Sequence, residues 1–328
     1  MPPILYNLKE LNPFLKKVKP SKILIVTSDI LENKLKWAIQ EISHTNVVVL
    51  PDGENAKEWV QIEKILKQFT KIGLDRKSIV IALGGGTVGD VVGFASAIYL
   101  RGVRYIQVPT TLLAQVDSAY GGKTGINFNG YKNQVGVFNN PLAIIVDIRF
   151  LNSLSNDQLT DGLGEIIKAG LIKDSSILSL LRKEGSHVFQ KERILALLVK
   201  KSIAVKQFYI RKDPKEIYLR QILNVGHTVG HAIELKYKLS HGKAVLYGLL
   251  KELAVGESLG ITSHTVKVNF LVILNKLNIK INNKYRTDLE SLYHDKKIFH
   301  DSITMPIIEK EGKTKVVTIK LKDLRKLL

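Results

Sequence analysis

Ser78-Ile-Val-Ile-Ala-Leu-Gly-Gly-Gly-Thr-Val-Gly-Asp90 is the stretch that decides the fold. Its apolar run reads as a strand buried on both faces, its three glycines as the turn that ends the strand, and residues 88 to 99 as the following helix. A glycine turn between strand and helix lets the backbone approach a pyrophosphate while the first helical amides donate to it, so a nucleotide cradle is one reading. The other is a tight turn that needs glycine only for its dihedrals. GGGTVGD also departs from the usual GxGxxG spacing. Residues 80 to 100 approach membrane-spanning length, but Asp90 and the interspersed glycines fit strand, turn and helix better.

Working outward, Lys22–Thr27, Asn46–Leu50, Tyr105–Pro109 and Ala143–Asp147 are further short apolar runs, and residues 31 to 43 and 55 to 72 have helical spacing. Strands alternating with helices predict a parallel α/β sheet with helices on both faces. Beyond Phe150 the periodicity becomes helical, at 157 to 172, 176 to 183, 192 to 208, 222 to 236, 244 to 259 and 265 to 277. Only Lys315–Ile319 in this half reads as a strand. The expected organisation is an α/β unit over 1–153 and a mainly α-helical unit over 154–328.

At 328 residues the chain has length for about two domains, and 45% apolar with 24% charged residues is the composition of a folded protein. The net charge is +19, yet only 10 of the 49 basic residues are Arg, the side chain favoured for bidentate phosphate and base contacts. The surplus permits nucleic acid, an anionic membrane or an acidic substrate as partner, but the basic residues are scattered, which fits a diffuse solvated surface better than a nucleic-acid or membrane function. There is no Cys, which excludes disulfides, thiolate nucleophiles and thiolate-bound metals. The N-terminus has no secretory pattern, so a cytoplasmic location is expected.

Two further sections carry chemistry. Asp52-Gly-Glu-Asn-Ala-Lys57 follows a strand, where a carboxylate suits a ribose hydroxyl or simply caps a helix. The polar, Gly-rich segment from Asp117 through Lys123 to Lys132 and Asn133 looks like an anion site, with Asp117 available to orient hydroxyls, or else a surface loop.

The histidines give the strongest compositional signal: of eight in the chain, three fall within 227 to 241. His227 and His231 lie one helical turn apart on a shared face, in HTVGH, which lacks the Glu of the HExxH metalloprotease motif. His241 sits in a Ser-His-Gly loop. A two-histidine zinc site commonly takes a carboxylate as third ligand, and Glu165 stands in an apolar helix where an unpaired charge is costly. Lys168, at i+3, belongs to the same site or forms a plain helix-surface ion pair with Glu165.

Read together, GGGTVGD, YLRGVRYIQVPTTLLAQVDSAYGGKTGIN, GYKNQVGVF, GLGEIIKAGLI, LRQILNVGHTVGHAIE and HGKAV resemble the 3-dehydroquinate synthase family in order, from about Lys22 to Lys297. The resemblance implies an N-terminal Rossmann-like NAD-binding domain with a parallel sheet and a C-terminal α-helical metal-binding domain, with the active site in the cleft between them, in a homodimer. It implies Glu165, His227 and His241 as ligands of zinc or cobalt. It implies an NAD site of Glu54, Lys57, Gly85, Gly86, Thr87, Asp90, Thr110, Thr111, Asp117, Lys123, Lys132 and Ser153. Asp117, Lys123, Asn133, Lys168, Lys206, Arg220, Asn224 and His231 match catalytic or substrate-site positions, as does Lys132. Arg101 matches a phosphate contact from the partner subunit, and Lys296 or Lys297 another.

The implied substrate is the sugar phosphate 3-deoxy-D-arabino-heptulosonate 7-phosphate, processed by transient oxidation, β-elimination of phosphate, reduction, ring opening and aldol closure. Two departures from the family pattern stand out: Lys243 replaces a usual Glu, putting a cation near the expected metal, and the segment between His231 and His241 is short. The alternatives are another sugar phosphate cyclase or a metal-dependent polyol dehydrogenase of the same superfamily, and a nucleic-acid binder exploiting the positive charge.

Overall fold

The computed structural model describes residues 1–42, 46–214, 216–281, 285, 298–299 and 302–328. They form two compact units, Met1–Ser155 and Asn156–Leu328.

The first unit is built on six parallel strands: β1 (Ile4–Leu5), β2 (Ile23–Ser28), β3 (Asn46–Leu50), β4 (Ile79–Gly84), β5 (Arg104–Pro109) and, after a hairpin, β8 (Ala143–Ile145), in the order β1-β8-β5-β4-β2-β3. Alternate side chains of the central strands feed two cores, as the two-residue period of a strand requires. Ile25, Ile79, Ile81 and Leu83 pack with Leu8, Leu11 and Leu15 and with Leu35 and Ala38 on one face. Leu24, Val26, Val80 and Ala82 pack with Ile62, Ile65, Phe69 and Val91 on the other. The helices supplying these faces are α1 (Leu11–Val18), α2 (Asp29–Lys34), α3 (Lys36–Glu41), α4 (Trp59–Ile72) and α5 (Gly86–Ile98). The chain leaves β2 for β3 on one side and then returns to β4 on the other, so the ends of β2 and β4 form the topological switch point. Open α/β sheets bind ligands there.

Three features differ from the sequence reading. The helix expected over 31 to 43 breaks at Leu35 into α2 and α3. The Gly-rich segment read as an anion site or a loop is in part an antiparallel hairpin, β6 (Lys123–Phe128) and β7 (Tyr131–Phe138), turned at Asn129 and Gly130, both at positive φ. Asn-Gly is the favoured residue pair for that turn. The short strand β1 pairs with β8 at the sheet edge.

The second unit contains α6 (Asn156–Ile172), α7 (Ser175–Glu184), α8 (Glu192–Lys212), α9 (His227–Tyr237), α10 (His241–Ser258) and α11 (His264–Lys276). The helix expected from residue 222 begins instead at His227, because Leu219–Asn224 form a separate 3-10 turn and Gly226, at a left-handed φ of 81°, is the N-cap of α9. Besides the expected strand at 315 to 319, found within β11 (Lys313–Lys320), a three-stranded antiparallel sheet includes β9 (Ile298–Phe299) and β10 (Ser302–Lys310). Ile303, Met305 and Ile307 of β10 pack with Val255 of α10 and Leu324 of the last helix, α12 (Leu321–Leu327).

Candidate active site

In the first unit the expected residues gather at the carboxyl ends of β4 and β5. Gly85 caps α5, so the amides of its first turn face the end of β4. A Cβ on Gly86 would lie 2.8 Å from Ser118 Oγ and one on Gly85 would lie 3.2 Å from Thr111 Cγ2, so a side chain at either position would crowd this turn. Lys57 is buried and donates to Asp90 Oδ2 at 2.6 Å and to Asn133 Oδ1 at 2.7 Å. Burial pushes the Asp90 carboxyl up, against the pull of Lys57. Asn127 Nδ2 donates to Glu54 Oε2 at 2.9 Å, and the Asn133 amide donates to Asn127 Oδ1 at 3.0 Å. The hairpin thereby joins Asn133 to Lys57, Asp90 and Glu54, although these positions are far apart in sequence. Thr111 Oγ1 accepts from the Ala114 amide, and Asp117 lies within the π-helical turn Ala114–Ser118. Thr87 is half-buried in the first turn of α5, and Lys123 and Lys132 are exposed on the hairpin strands.

Two expected residues lie away from this cluster. Ser153 follows β8, beyond β5, where its hydroxyl donates to Phe150 O and lines a hollow with Leu35, Trp37, Arg149 and Asn152. Arg101 is exposed beyond the far end of α5, which at 13 residues is about 20 Å long. Leu100, Arg101 and Gly102 all have positive φ, a strained turn for the two side-chain-bearing residues.

The first unit fits a dinucleotide. Its glycine turn opens onto a helix N-terminus at the switch point, and the buried hydroxyls Thr27 Oγ1, Ser28 Oγ and Thr110 Oγ1, at the ends of β2 and β5, have no hydrogen-bond partner among the described residues.

In the second unit α6, α9 and α10 bring four potential metal donors together. Glu165 Oε1 is 3.6 Å from His227 Nε2 and 3.4 Å from His241 Nε2. This Oε1 atom is buried and accepts no hydrogen bond among the described residues. One ring nitrogen from each of His227, His231 and His241 falls within 4.8 Å of the others, so His231 belongs to the cluster as well. Two outer contacts fix how the rings face. His227 Nδ1 donates to Val225 O at 3.2 Å, which leaves Nε2 with its lone pair toward Glu165. His241 Nδ1 pairs with Glu234 Oε2 at 3.3 Å. A buried carboxylate oxygen and imidazole nitrogens around one point form a donor set that suits zinc or a similar divalent ion.

The electrostatics agree. Lys168 Nζ pairs with Glu165 Oε2. Burial works to raise the Glu165 pKa, but Lys168 and then His241 outweigh it and hold the carboxylate ionised. Burial, reinforced by Lys168, pushes His227 well down and keeps it neutral, the form that ligates. Lys206 adds its field at Glu165. Arg220 is buried, donating to Pro214 O and lying 3.7 Å from Glu216, whose other oxygen is 3.5 Å from Asn224 Nδ2. Lys296 and Lys297 lie outside the described residues.

The two departures are accommodated. Lys243 Nζ is drawn to Asp157 Oδ1 at 2.7 Å, and despite the short segment before it His241 stands beside Glu165. Sequence reasoning missed Glu216, Glu234 and Asp161, whose Oδ1 accepts from the Gly242 amide. Helical spacing was the available signal: Glu234 follows His231 by three residues and Asp161 precedes Glu165 by four. Among the described residues, no helix is long and apolar enough to cross a membrane.

Known proteins share this arrangement of sequence and fold. The family model for the 3-dehydroquinate synthase N-terminal domain matches residues 47–161, and that for the C-terminal domain matches 162–298. The 3-dehydroquinate synthase of Dictyoglomus thermophilum is 38% identical over 335 residues, covering 99% of this chain and 94% of its own. That of Thermodesulfovibrio yellowstonii is 39% identical, covering 86% and 81%. Among solved structures, 2-deoxy-scyllo-inosose synthase complexed with carbaglucose-6-phosphate, NAD+ and Co2+ has the same fold, with a TM-score of 0.88 at 21% identity, covering 99% of this chain and 95% of that one. So does 2-epi-5-epi-valiolone synthase from Streptomyces hygroscopicus with NAD+ and Zn2+ bound, with a TM-score of 0.86 at 22% identity and coverage of 99% and 94%. The sheet order, the histidine cluster and these matches along nearly the whole sequence lead to one conclusion: the chain belongs to the 3-dehydroquinate synthase family.

Proposed function

We propose that this chain converts 3-deoxy-D-arabino-heptulosonate 7-phosphate to 3-dehydroquinate and inorganic phosphate, with NAD and a zinc or cobalt ion as cofactors. The observation that carries the reading is the convergence of Glu165 Oε1 with the Nε2 atoms of His227 and His241, in a chain similar to 3-dehydroquinate synthases over nearly its full length. Two sugar phosphate cyclases of the same fold, one with NAD+ and Co2+ and one with NAD+ and Zn2+, support the cofactor assignment.

When bound, NAD supplies a reversible hydride acceptor and the metal ion a Lewis acid. Glu165, His227 and His241 hold the ion. Gly85, Gly86, Thr87, Thr110 and Thr111 offer backbone amides and hydroxyls to NAD, and Glu54 and Asp117 extend that site. Lys57 pairs with Asp90 within it and opposes the rise that burial imposes on the carboxyl, which favours an acid that accepts from a hydroxyl.

The substrate carries a carboxylate and a phosphate, which require fixed cations. Lys123, Lys132, Lys206 and Arg220 supply them, Arg220 as a buried and preoriented guanidinium. Asn133 and Asn224 orient hydroxyls through their amides. Lys168 keeps Glu165 anionic, and its ammonium is available to a developing oxyanion. His231 is the exposed imidazole of the cluster and suits a proton shuttle. Arg101 serves a second copy of the chain in a homodimer, and Lys297 or its neighbour completes the phosphate contacts.

The test combines protein, zinc or cobalt, substoichiometric NAD and the heptulosonate phosphate, and follows phosphate and NADH together. The expected result is phosphate equal to substrate consumed without net NADH. Accumulating NADH without phosphate would make the chain a polyol dehydrogenase instead.

A further inference from the structure

Three carboxylates on α6 grip the first turn of α10. Asp157, Asp161 and Glu165 recur every four residues and so share one helical face. Asp157 Oδ1 accepts from Lys243 Nζ at 2.7 Å, Asp161 Oδ1 accepts from the Gly242 amide at 3.1 Å, and Glu165 Oε1 stands 3.4 Å from His241 Nε2. Successive residues of α10 thus meet successive turns of α6.

The backbones touch at this crossing. A Cβ on Gly242 would fall 2.2 Å from Asp161 Cα, and one on Gly164 would fall 2.7 Å from Gly242 O. With no side chain between the helices, sliding of α10 along α6 is opposed by directional contacts, and the Asp161 bond lies next to His241 in sequence. A shift of about 1 Å would take an imidazole out of a zinc bond of about 2.0–2.1 Å.

We propose that Asp161 is a positioning residue for the metal centre: its hold on the Gly242 amide keeps His241 against Glu165, and the Asp157–Lys243 pair is the outer arm of the same clamp. The functional consequence rests on the metal reading above, whereas the clamp itself is present without metal. Asp157 and Lys243 are exposed, so their arm contributes little. The half-buried Asp161 carries the effect.

The test uses the full metal-free chain, with zinc affinity read by competition against a chromogenic chelator. Asp161→Ala is expected to weaken zinc binding by about 10- to 100-fold, the range that partners of ligating groups command. Asp161→Asn, whose amide oxygen still accepts from Gly242, recovers to within about threefold, and Lys243→Met changes affinity by less than about threefold. In crystals of the metal-free proteins, His241 Nε2 leaves Glu165 Oε1 by more than about 1 Å in Asp161→Ala but not in Asp161→Asn. Wild-type zinc affinity in Asp161→Ala, or an unmoved imidazole, would overturn the proposal. Wild-type protein that binds no zinc would overturn the metal reading, while the crystals would still decide the clamp. Should Asp161→Ala not fold, Asp161→Glu carries the test, because its carboxylate sits one bond too far out for the same amide and is expected to lower zinc affinity at least about tenfold. Unchanged affinity in that variant overturns the proposal.

Discussion

Glu234, near the end of α9, and His241, at the start of α10, meet at 3.3 Å through Oε2 and Nδ1, and this contact turns the imidazole so that Nε2 faces Glu165. Burial alone would push the His241 pKa down, but the carboxylates of Glu165 and Glu234 beside it carry it up to about 10 in the metal-free chain. A metal ion arriving below that pH must displace a proton. Zinc binding is therefore expected to release about one proton at pH 8, and its apparent affinity to rise about tenfold per pH unit from 7 to 9. Calorimetry in buffers of different ionisation enthalpy measures the release, and affinity independent of pH would contradict it. The sign for stability is opposite. A folded pKa above the unfolded value of 6.5 stabilises the metal-free fold fully below pH 6.5, and that contribution is lost as pH rises toward 10.

Glu165→Gln removes the anionic ligand and strands the buried Lys168 ammonium. Zinc affinity should fall by more than about 100-fold, and the metal-free fold should persist but lose about 3 kcal/mol in denaturant unfolding. Wild-type metal stoichiometry in this variant would remove Glu165 from the ligand set.

Lys57→Met tests the nucleotide end. Asp90 would lose the cation that opposes its burial, and NAD affinity, followed by fluorescence titration, should drop at least about tenfold. Unaltered NAD binding would show that the Lys57–Asp90 pair serves only the fold.

Asp147 is buried and accepts from the Leu8 amide at 2.9 Å and from Arg149 Nη2 at 2.7 Å, tying the N-terminal segment to the end of β8. Burial works to raise its pKa, but the Arg149 and amide bonds outweigh it and hold the carboxyl below its usual 3.8. Its stabilisation is therefore present above pH 3.8 and is lost as pH falls through the lower folded value. Asp147→Ala should cost about 2–4 kcal/mol at neutral pH in chemical denaturation, with the difference from wild type shrinking in acid.

Much of this was legible in the sequence because the signals are local. The buried run before Gly84 and the glycines after it fix β4 and the start of α5, and three histidines within 15 residues announce the cluster. The hairpin escaped because β7 is almost wholly exposed and shows no alternation of apolar and polar residues, leaving Asn129-Gly130 as its one clear signal. β10 escaped because Pro306 interrupts it, and proline argues against a central strand. Pro306 pairs with Val316 on one side, and among the described residues β9 pairs only with Ser302 and Ile303 on the other. Asp161 and Glu234 had only helical spacing to mark them, which does not name their partners. Their partners lie on neighbouring helices, and only the folded crossing of α6, α9 and α10 reveals what they hold.

The most direct measurement is anomalous diffraction from crystals of the chain grown with zinc. One peak is expected at about 2.0–2.2 Å from Glu165 Oε1, His227 Nε2 and His241 Nε2 together. A peak bound by His231 in place of Glu165, or no peak at this cluster, would contradict the account.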